Sequence, residues 1–559
     1  MYRHNRNTYE DGDDIMTYAD IILKSEAVFT GISENPQPGA VAVKGNRILE
    51  VAGKEELNHL VGNETKIYDL GNQLILPGFM DAHVHFFMGA FVASEHMNTE
   101  ISESKSEEDC VRMMVDYTRK HPNLPRVCGM GWFPATWNDA PLPTKDSLDI
   151  AFPDKPAYLI CADAHTAWLN SKALEECGIT ADTKIECGEI CLDSQGSPNG
   201  ILKEMAGFVA FAKMMNLPTA TIKKMQEEFL KSVVENGVTS IGDMSAYPLN
   251  DDTIRLFEAG KELEQEEKLP VRLHFYPGLG SSPDYDDIIN NRKIFNTEKV
   301  RIAGLKGFVD GVTSTYTGLL LEPYEENPDI IGHPNYPYEV YEKCITAANK
   351  AGLGVRLHCI ADGSVRLALD CFEASNAANG NVGNHQEIKN SIEHCENIHP
   401  DDIPRFQKLG VTASMQPYHL TLDNNEKLHR IGAERSKYEW PHKSLLGEGA
   451  RLAFGSDYPV VGFNPFPSLY AAITRCNDEG QPTGVNPEQK ISLAQAIKAY
   501  TQGSAYAYDR ENDLGTLEKG KLADIIVVNK NLFDLETEEI RNCQVDMAIA
   551  DGKVVYERK

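Results

Sequence analysis

Eight short apolar runs along the middle of this chain constrain its fold more than any other feature. They cover residues 79–86, 237–245, 271–278, 300–311, 354–363, 390–398, 411–419 and 451–460, and helix-length segments such as 222–236 and 338–352 lie between several of them. Strands that alternate with helices run parallel, because each helix returns the chain to the edge where the previous strand began. Eight such units predict an α/β fold, a TIM-like (β/α)8 barrel with its chemistry at the carboxyl ends of the strands. An open doubly wound sheet is the alternative, although no G-x-G-x-x-G follows any of these strands.

Short β-rich runs punctuated by glycine occupy both ends of the chain, at 18–31, 40–53 and 66–78 and again at 515–531 and 545–559. The economical reading is one small β-sandwich domain assembled from residues 18–76 and 511–559, with the barrel, 77–510, inserted between them. Residues 1–17 are polar and read as a flexible leader. The distance between the first two barrel strands is too long for a loop, so residues about 104–220 are expected to form an insertion subdomain that overhangs the barrel mouth.

At 559 residues the chain exceeds one ordinary core, and 54 basic against 83 acidic residues give a net charge of −29. Such a balance disfavours nucleic acid and anionic membranes as partners. The 12 cysteines are scattered, and most sit beside apolar neighbours, which suits reduced, buried thiols in a cytoplasmic protein. The pair Cys187 and Cys191 has no second pair nearby to complete a zinc site. No apolar signal region and no long uncharged run is present, which argues against export and membrane insertion. Oligomeric state is open, a homodimer being favoured only by the general frequency of such assemblies.

The chemistry-bearing residues gather at strand ends. His83 and His85 are one residue apart, so on a strand they share a face with Asp81, and two neutral imidazoles aimed at one point make half a metal site. Lys306, His358, His394 and Asp457 interrupt apolar surroundings on the fourth, fifth, sixth and eighth strands. Singly, each has a plain explanation: a snorkelling lysine, satisfied core histidines, a turn aspartate before Pro459. Together, on the strands a barrel would use, they point to a metal-dependent active site.

The pattern P-G-F-x-D-x-H-x-H at 77–85, the histidines on strands five and six and G-S-D at 455–457 resemble the metal-dependent amidohydrolase superfamily. Segments 131–149, 163–174, 306–311 and 391–398 are similar to its amidohydrolase-3, or YtcJ-like, branch, and 515–528 resembles the superfamily's closing β-domain motif. This resemblance implies hydrolysis of a C–N bond. It makes His83 and His85 ligands of a first metal, His358 and His394 ligands of a second, and Lys306 a carboxylated ligand bridging the two. Asp457 would bind the first metal and handle the proton of the attacking water. Two zinc ions suit the imidazole-rich set, with manganese, iron or nickel as alternatives. The second expected cofactor is carbon dioxide, held as the lysine carbamate.

Candidate substrate contacts are His165, Trp132, Trp137 and His419. A histidine bonding its own subdomain is an equal reading for His165, and ordinary packing of the insertion is the favoured one for the tryptophans, Trp168 included. Glu204 reads as a solvated helix carboxylate, and Phe133 stands where relatives often carry a polar group. The leading activity is cleavage of an amide, N-acyl, formamide or cyclic amide. A mononuclear deaminase is the rival, but the glutamate such enzymes carry three residues after the strand-five histidine is here Ala361. A non-catalytic, metal-retaining barrel is the third reading.

Overall fold

The computed structural model describes residues 18–559 apart from 139, 163–165, 186–187, 381–387 and 423–428. At its centre are eight parallel strands: β1 (Phe79–Val84), β2 (Val238–Asp243), β3 (Arg272–Phe275), β4 (Val300–Ile302, resumed at Gly304–Phe308), β5 (Gly354–Cys359), β6 (Ser391–His394), β7 (Thr412–Met415) and β8 (Arg451–Phe454). They form two sheets. The first runs β1-β2-β3 to the first part of β4, and the second runs from the second part of β4 through β5-β6-β7 to β8. The break in β4 at Ala303 lets one strand serve both sheets, pairing first with β3 and then with β5.

Single parallel bridges join the two sheets, Gly278 to Lys306 on one side and Val84 to Tyr458 on the other. There the Lys306 and His85 amides donate to the Pro277 and Tyr458 carbonyls, each at 2.9 Å. The architecture is TIM-barrel-like, with two half-barrels stitched at these points rather than one uninterrupted ladder.

Helices cover the outside for a reason visible in their spacing. The helix Thr219–Glu235 buries Ile222, Met225, Phe229, Leu230, Val233 and Val234, one stripe at three- and four-residue intervals. It is stopped by Gly237, whose φ of 76° is a left-handed conformation that costs a glycine little. β2 follows at once.

The chain ends meet in a single eight-stranded sheet. Its order is Lys553–Glu557, Val545–Ala550, Ile525–Val528, Leu74–Pro77, Ile21–Val28, Gln37–Lys44, Arg47–Ala52, with Lys66–Asp69 also paired to Ile21–Val28. Alternate β-branched and leucine side chains from both termini, among them Leu23, Val41, Val43, Ile75, Ile525, Val527 and Ile549, form one buried cluster. A third unit is the five-stranded sheet between β1 and β2, built from Gly188–Leu192, Pro198–Glu204, Thr166–Leu169, Ala157–Cys161 and Val127–Trp132. It has its own core, which includes Ile101, Trp132, Trp137, Leu159 and Trp168. Among the described residues no helix is long and apolar enough to cross a membrane, and eleven cysteines are free thiols.

Candidate metal centre

β1 delivers its histidines to the strand-end cluster because it runs buried from end to end and then turns directly into the helix Phe86–Val92, with His85 at the helix start. His83 is fully buried. Its Nδ1 donates to a Glu393 carboxylate oxygen at 2.7 Å, which fixes the tautomer and leaves the unprotonated Nε2 to offer its lone pair. That Nε2 is 3.3 Å from Asp457 Oδ1, and the His85 Nε2 is 3.0 Å from the same oxygen.

β6 and β8 complete the group by turning sharply where they end. His394 and Cys395 have φ of 74° and 50°, and Asp457 has 60°. Left-handed backbone at a non-glycine residue costs on the order of 1–3 kcal/mol and persists where the surroundings over-determine it. The turn at β6 lets Glu393 and His394, neighbours in sequence, serve one cluster: Glu393 holds His83, while the His394 ring centroid is 4.8 Å from that of His83. The donor atoms of His83, His394 and Asp457 lie within 4.8 Å of one another, as do those of a second group, His394, Glu396 and His419.

His358 and Lys306 stand on the β4–β5 side. The His358 ring is 4.4 Å from that of His394, with its Nε2 3.3 Å from the Gly311 carbonyl oxygen. The Lys306 side chain is buried beneath Phe308, its ammonium nitrogen 4.7 Å from that ring centroid. Below them Arg356 donates to Glu393 at 2.7 Å and to the Ser414 hydroxyl at 3.1 Å, and it stacks over Tyr276. Asp310 ties β4 to β5 by accepting from the Ile360 and Ala361 amides at 3.1 and 3.2 Å.

The electrostatics follow from burial. Desolvation holds His83 and His394 well below the usual imidazole range and brings His358 down to about 4, so all three are neutral near pH 7. Burial also brings Lys306 down to about 8, against the opposing pull of the Glu393 and Asp457 carboxylates. For Asp457 burial acts upward, but the neighbouring His83 and His85 rings outweigh it and hold the carboxyl well below its ordinary range.

These residues fit a divalent cation. His83 Nε2, His394 Nδ1, His419 Nε2 and Lys306 Nζ are buried with no hydrogen-bond partner, whereas buried polar atoms in proteins are almost always paired. Neutral imidazoles beside an ionised aspartate are the donor set that borderline metals take.

The sequence model of the Amidohydrolase family, Amidohydro_3, matches residues 66–556. The chain belongs to the amidohydrolase family. Among similar proteins, this amidohydrolase is 28% identical over 552 residues to Protein LONG AFTER FAR-RED 3 of Arabidopsis thaliana, covering 96% of this chain and 92% of the plant protein. It is 25% identical over 550 residues to N-substituted formamide deformylase of Arthrobacter pascens, covering 96% and 98%. An uncharacterised metal-dependent hydrolase from Pyrococcus horikoshii OT3 superimposes with a TM-score of 0.76 over 92% of this chain and 99% of its own, at 23% identity, which supports the fold.

Other candidates lie elsewhere in the amidohydrolase. Trp132 and Trp137 are buried in the core of the insertion, with ring centroids 5.7 Å apart, and Trp132 meets Trp168 edge-on at 5.6 Å. The Trp137 and Trp168 indoles donate within the same unit, to the Ser104 and Thr144 carbonyls. Both candidate rings thus pack inside the core of the insertion, and the Trp132 Nε1 is buried there without a hydrogen-bond partner. Glu204 is exposed at a strand end. His165 lies outside the described residues.

Glu393, Arg356 and Glu396 belong to the cluster and were not singled out from the sequence. For Glu393 strict alternation is misleading, because it assigns neighbouring residues to opposite faces. The available signal was charge in a buried strand: 391-SIEH-394 carries a carboxylate on a strand with no exposed residue.

Proposed function

We propose that this protein is a metal-dependent hydrolase that cleaves the C–N bond of a small amide, N-acyl, formamide or cyclic amide substrate. The observation that carries this reading is the convergence of His83, His85, His394 and Asp457 from three strand ends. Similarity to N-substituted formamide deformylase, a protein named for cleaving such a bond, supports it.

The ions would be held by His83, His85 and Asp457 on one side and by His358 and His394 on the other, with Lys306 between them as a carbamate. Zinc suits these donors. A divalent ion supplies Lewis acidity, which lowers the pKa of water toward neutrality and polarises a carbonyl.

The protein's own groups do the rest. Asp457, ionised and beside the imidazoles, accepts the proton of the attacking water and returns it to the departing nitrogen. Glu393 holds His83 in the tautomer that presents Nε2. Burial favours the neutral amine of Lys306, and only that form adds carbon dioxide, forming an N–C bond and releasing one proton.

The test combines metal removal with one substitution. Prolonged chelation should abolish turnover of simple N-formyl and N-acyl amines, and zinc or manganese should restore it. Asp457→Asn should keep most of the metal, measured by elemental analysis, while kcat falls by roughly 10²- to 10⁴-fold. Full turnover by metal-free protein, or by the asparagine variant, would refute the reading.

A further inference from the structure

The pair 394-HCE-396 repeats at the end of β6 the one-residue spacing of 83-HVH-85 at the end of β1. Its glutamate has no part in the chemistry assigned above. Glu396 is 7% exposed, and His419, from the turn Pro417–Thr421 that follows β7, is 6% exposed. The His419 ring lies nearly parallel to that of His394, with centroids 6.3 Å apart, and its Nδ1 is 3.9 Å from a Glu396 carboxylate oxygen.

That distance is too long for a hydrogen bond. Two donors at about 2.0–2.1 Å from one tetrahedral zinc stand roughly 3.3–3.5 Å apart, so a side-chain adjustment of about half an ångström brings this pair onto a shared ion. The donor atoms of His394, Glu396 and His419 lie within 4.8 Å of one another, and two buried nitrogens of this group, His394 Nδ1 and the other ring nitrogen of His419, Nε2, have no hydrogen-bond partner. His419 Nε2 is also 3.9 Å from Asp457 Oδ2, so this group adjoins the His83–Asp457 group directly.

We propose that Glu396 and His419, with His394, form a second divalent-cation site, which holds the second ion from the β6–β7 side whether or not Lys306 is carboxylated. Two imidazoles and one carboxylate are the donor set of catalytic zinc sites that keep a further position open, and they suit a borderline metal better than magnesium or calcium. The inference rests on the metal-centre reading only in that His394 is common to both groups.

The experiment is a metal titration without substrate, so that failure to find an amidase activity leaves it standing. Full-length wild type, Glu396→Gln, Glu396→Asp, His419→Asn and Lys306→Met are stripped and then dialysed against buffered free Zn²⁺. Bound zinc is read by elemental analysis, and Co²⁺ replaces zinc for ligand-field absorption. Wild type should bind two ions. Glu396→Gln and His419→Asn should each drop to one, or weaken one site at least tenfold, with loss of part of the cobalt absorption.

Glu396→Asp should recover some of that affinity, which separates a ligand from a packing role, and circular dichroism checks that each variant is folded. A single ion in fully loaded wild type would overturn the second site. Wild-type stoichiometry and affinity in folded Glu396→Gln and His419→Asn overturns it, whatever Lys306→Met does.

Discussion

At the scale of single residues, the cluster depends on groups that stand behind the candidate ligands. Glu393 accepts from His83 on β1 and from Arg356 on β5, so one carboxylate orients a candidate ligand and neutralises a buried guanidinium. Removing one partner of such a pair leaves the other charge buried and uncompensated. Glu393→Gln keeps the shape and an acceptor for His83 but withdraws the charge. Its affinity for zinc, measured by competition with a chromophoric chelator, should fall about 10- to 100-fold.

His442 offers a separate test of burial. It is fully buried with Nδ1 3.4 Å from the Arg475 guanidinium, and burial together with that positive charge holds it well below the ordinary imidazole range. Below about pH 6.5 the unfolded chain binds a proton here that the folded chain does not, so stability falls on acidification by up to about 1.4 kcal/mol per pH unit from this group. His442→Gln retains an acceptor for Arg475 and removes the titration. Its urea-unfolding free energy should decline less steeply between pH 6.5 and 5, by up to about one proton, and an unchanged slope would refute this account.

At the scale of elements, the site is placed by how closely helices approach the strands that carry it. The helical turn Ala499–Gly503 packs on β8, and a Cβ built at Gly503 would stand 1.7 Å from the Leu452 carbonyl oxygen. No rotamer relieves a clash with backbone, so Gly503→Ala must lift the helix off the strand that leads to Asp457. It should cost about 1–3 kcal/mol or more, seen as a lower Tm, and reduce kcat. Gly447, at the end of the helix His442–Gly447, has nothing within 4 Å of such a Cβ, so Gly447→Ala should leave both unchanged.

At the scale of the whole molecule, the end sheet and the barrel are joined by ion pairs at the amino-terminal end of β3, away from the site. Arg272, the first residue of β3, makes two hydrogen bonds to Asp524 at 2.8 and 2.9 Å and further contacts at 3.1 Å to Asp551 and 3.2 Å to Glu298. Asp524 leads into Ile525–Val528 of the end sheet, and its backbone carbonyl accepts from the Gly78 amide just before β1. Residues at the amino-terminal face of such a barrel serve stability rather than catalysis. Asp524→Asn should therefore cost about 3–5 kcal/mol in denaturant unfolding and leave turnover per folded molecule unaltered.

What the sequence determined by itself is local. Each of the eight apolar runs contains a strand, because a buried parallel strand needs only a short hydrophobic run that is legible without knowing its partners. His83, His85, His394 and Asp457 were legible for a related reason: a polar residue that closes such a run stands at a strand end wherever that strand is placed. The tertiary structure decided what depends on residues far apart in the chain. It broke β4 at Ala303 between two sheets, and its left-handed turns after β6 and β8 set adjacent residues to work in one cluster, against the alternation a regular strand obeys. It buried Trp132 and Trp137 in the core of their own unit, and it brought Glu393 to His83 across 310 residues. Those contacts are set by packing between elements, which no local pattern encodes.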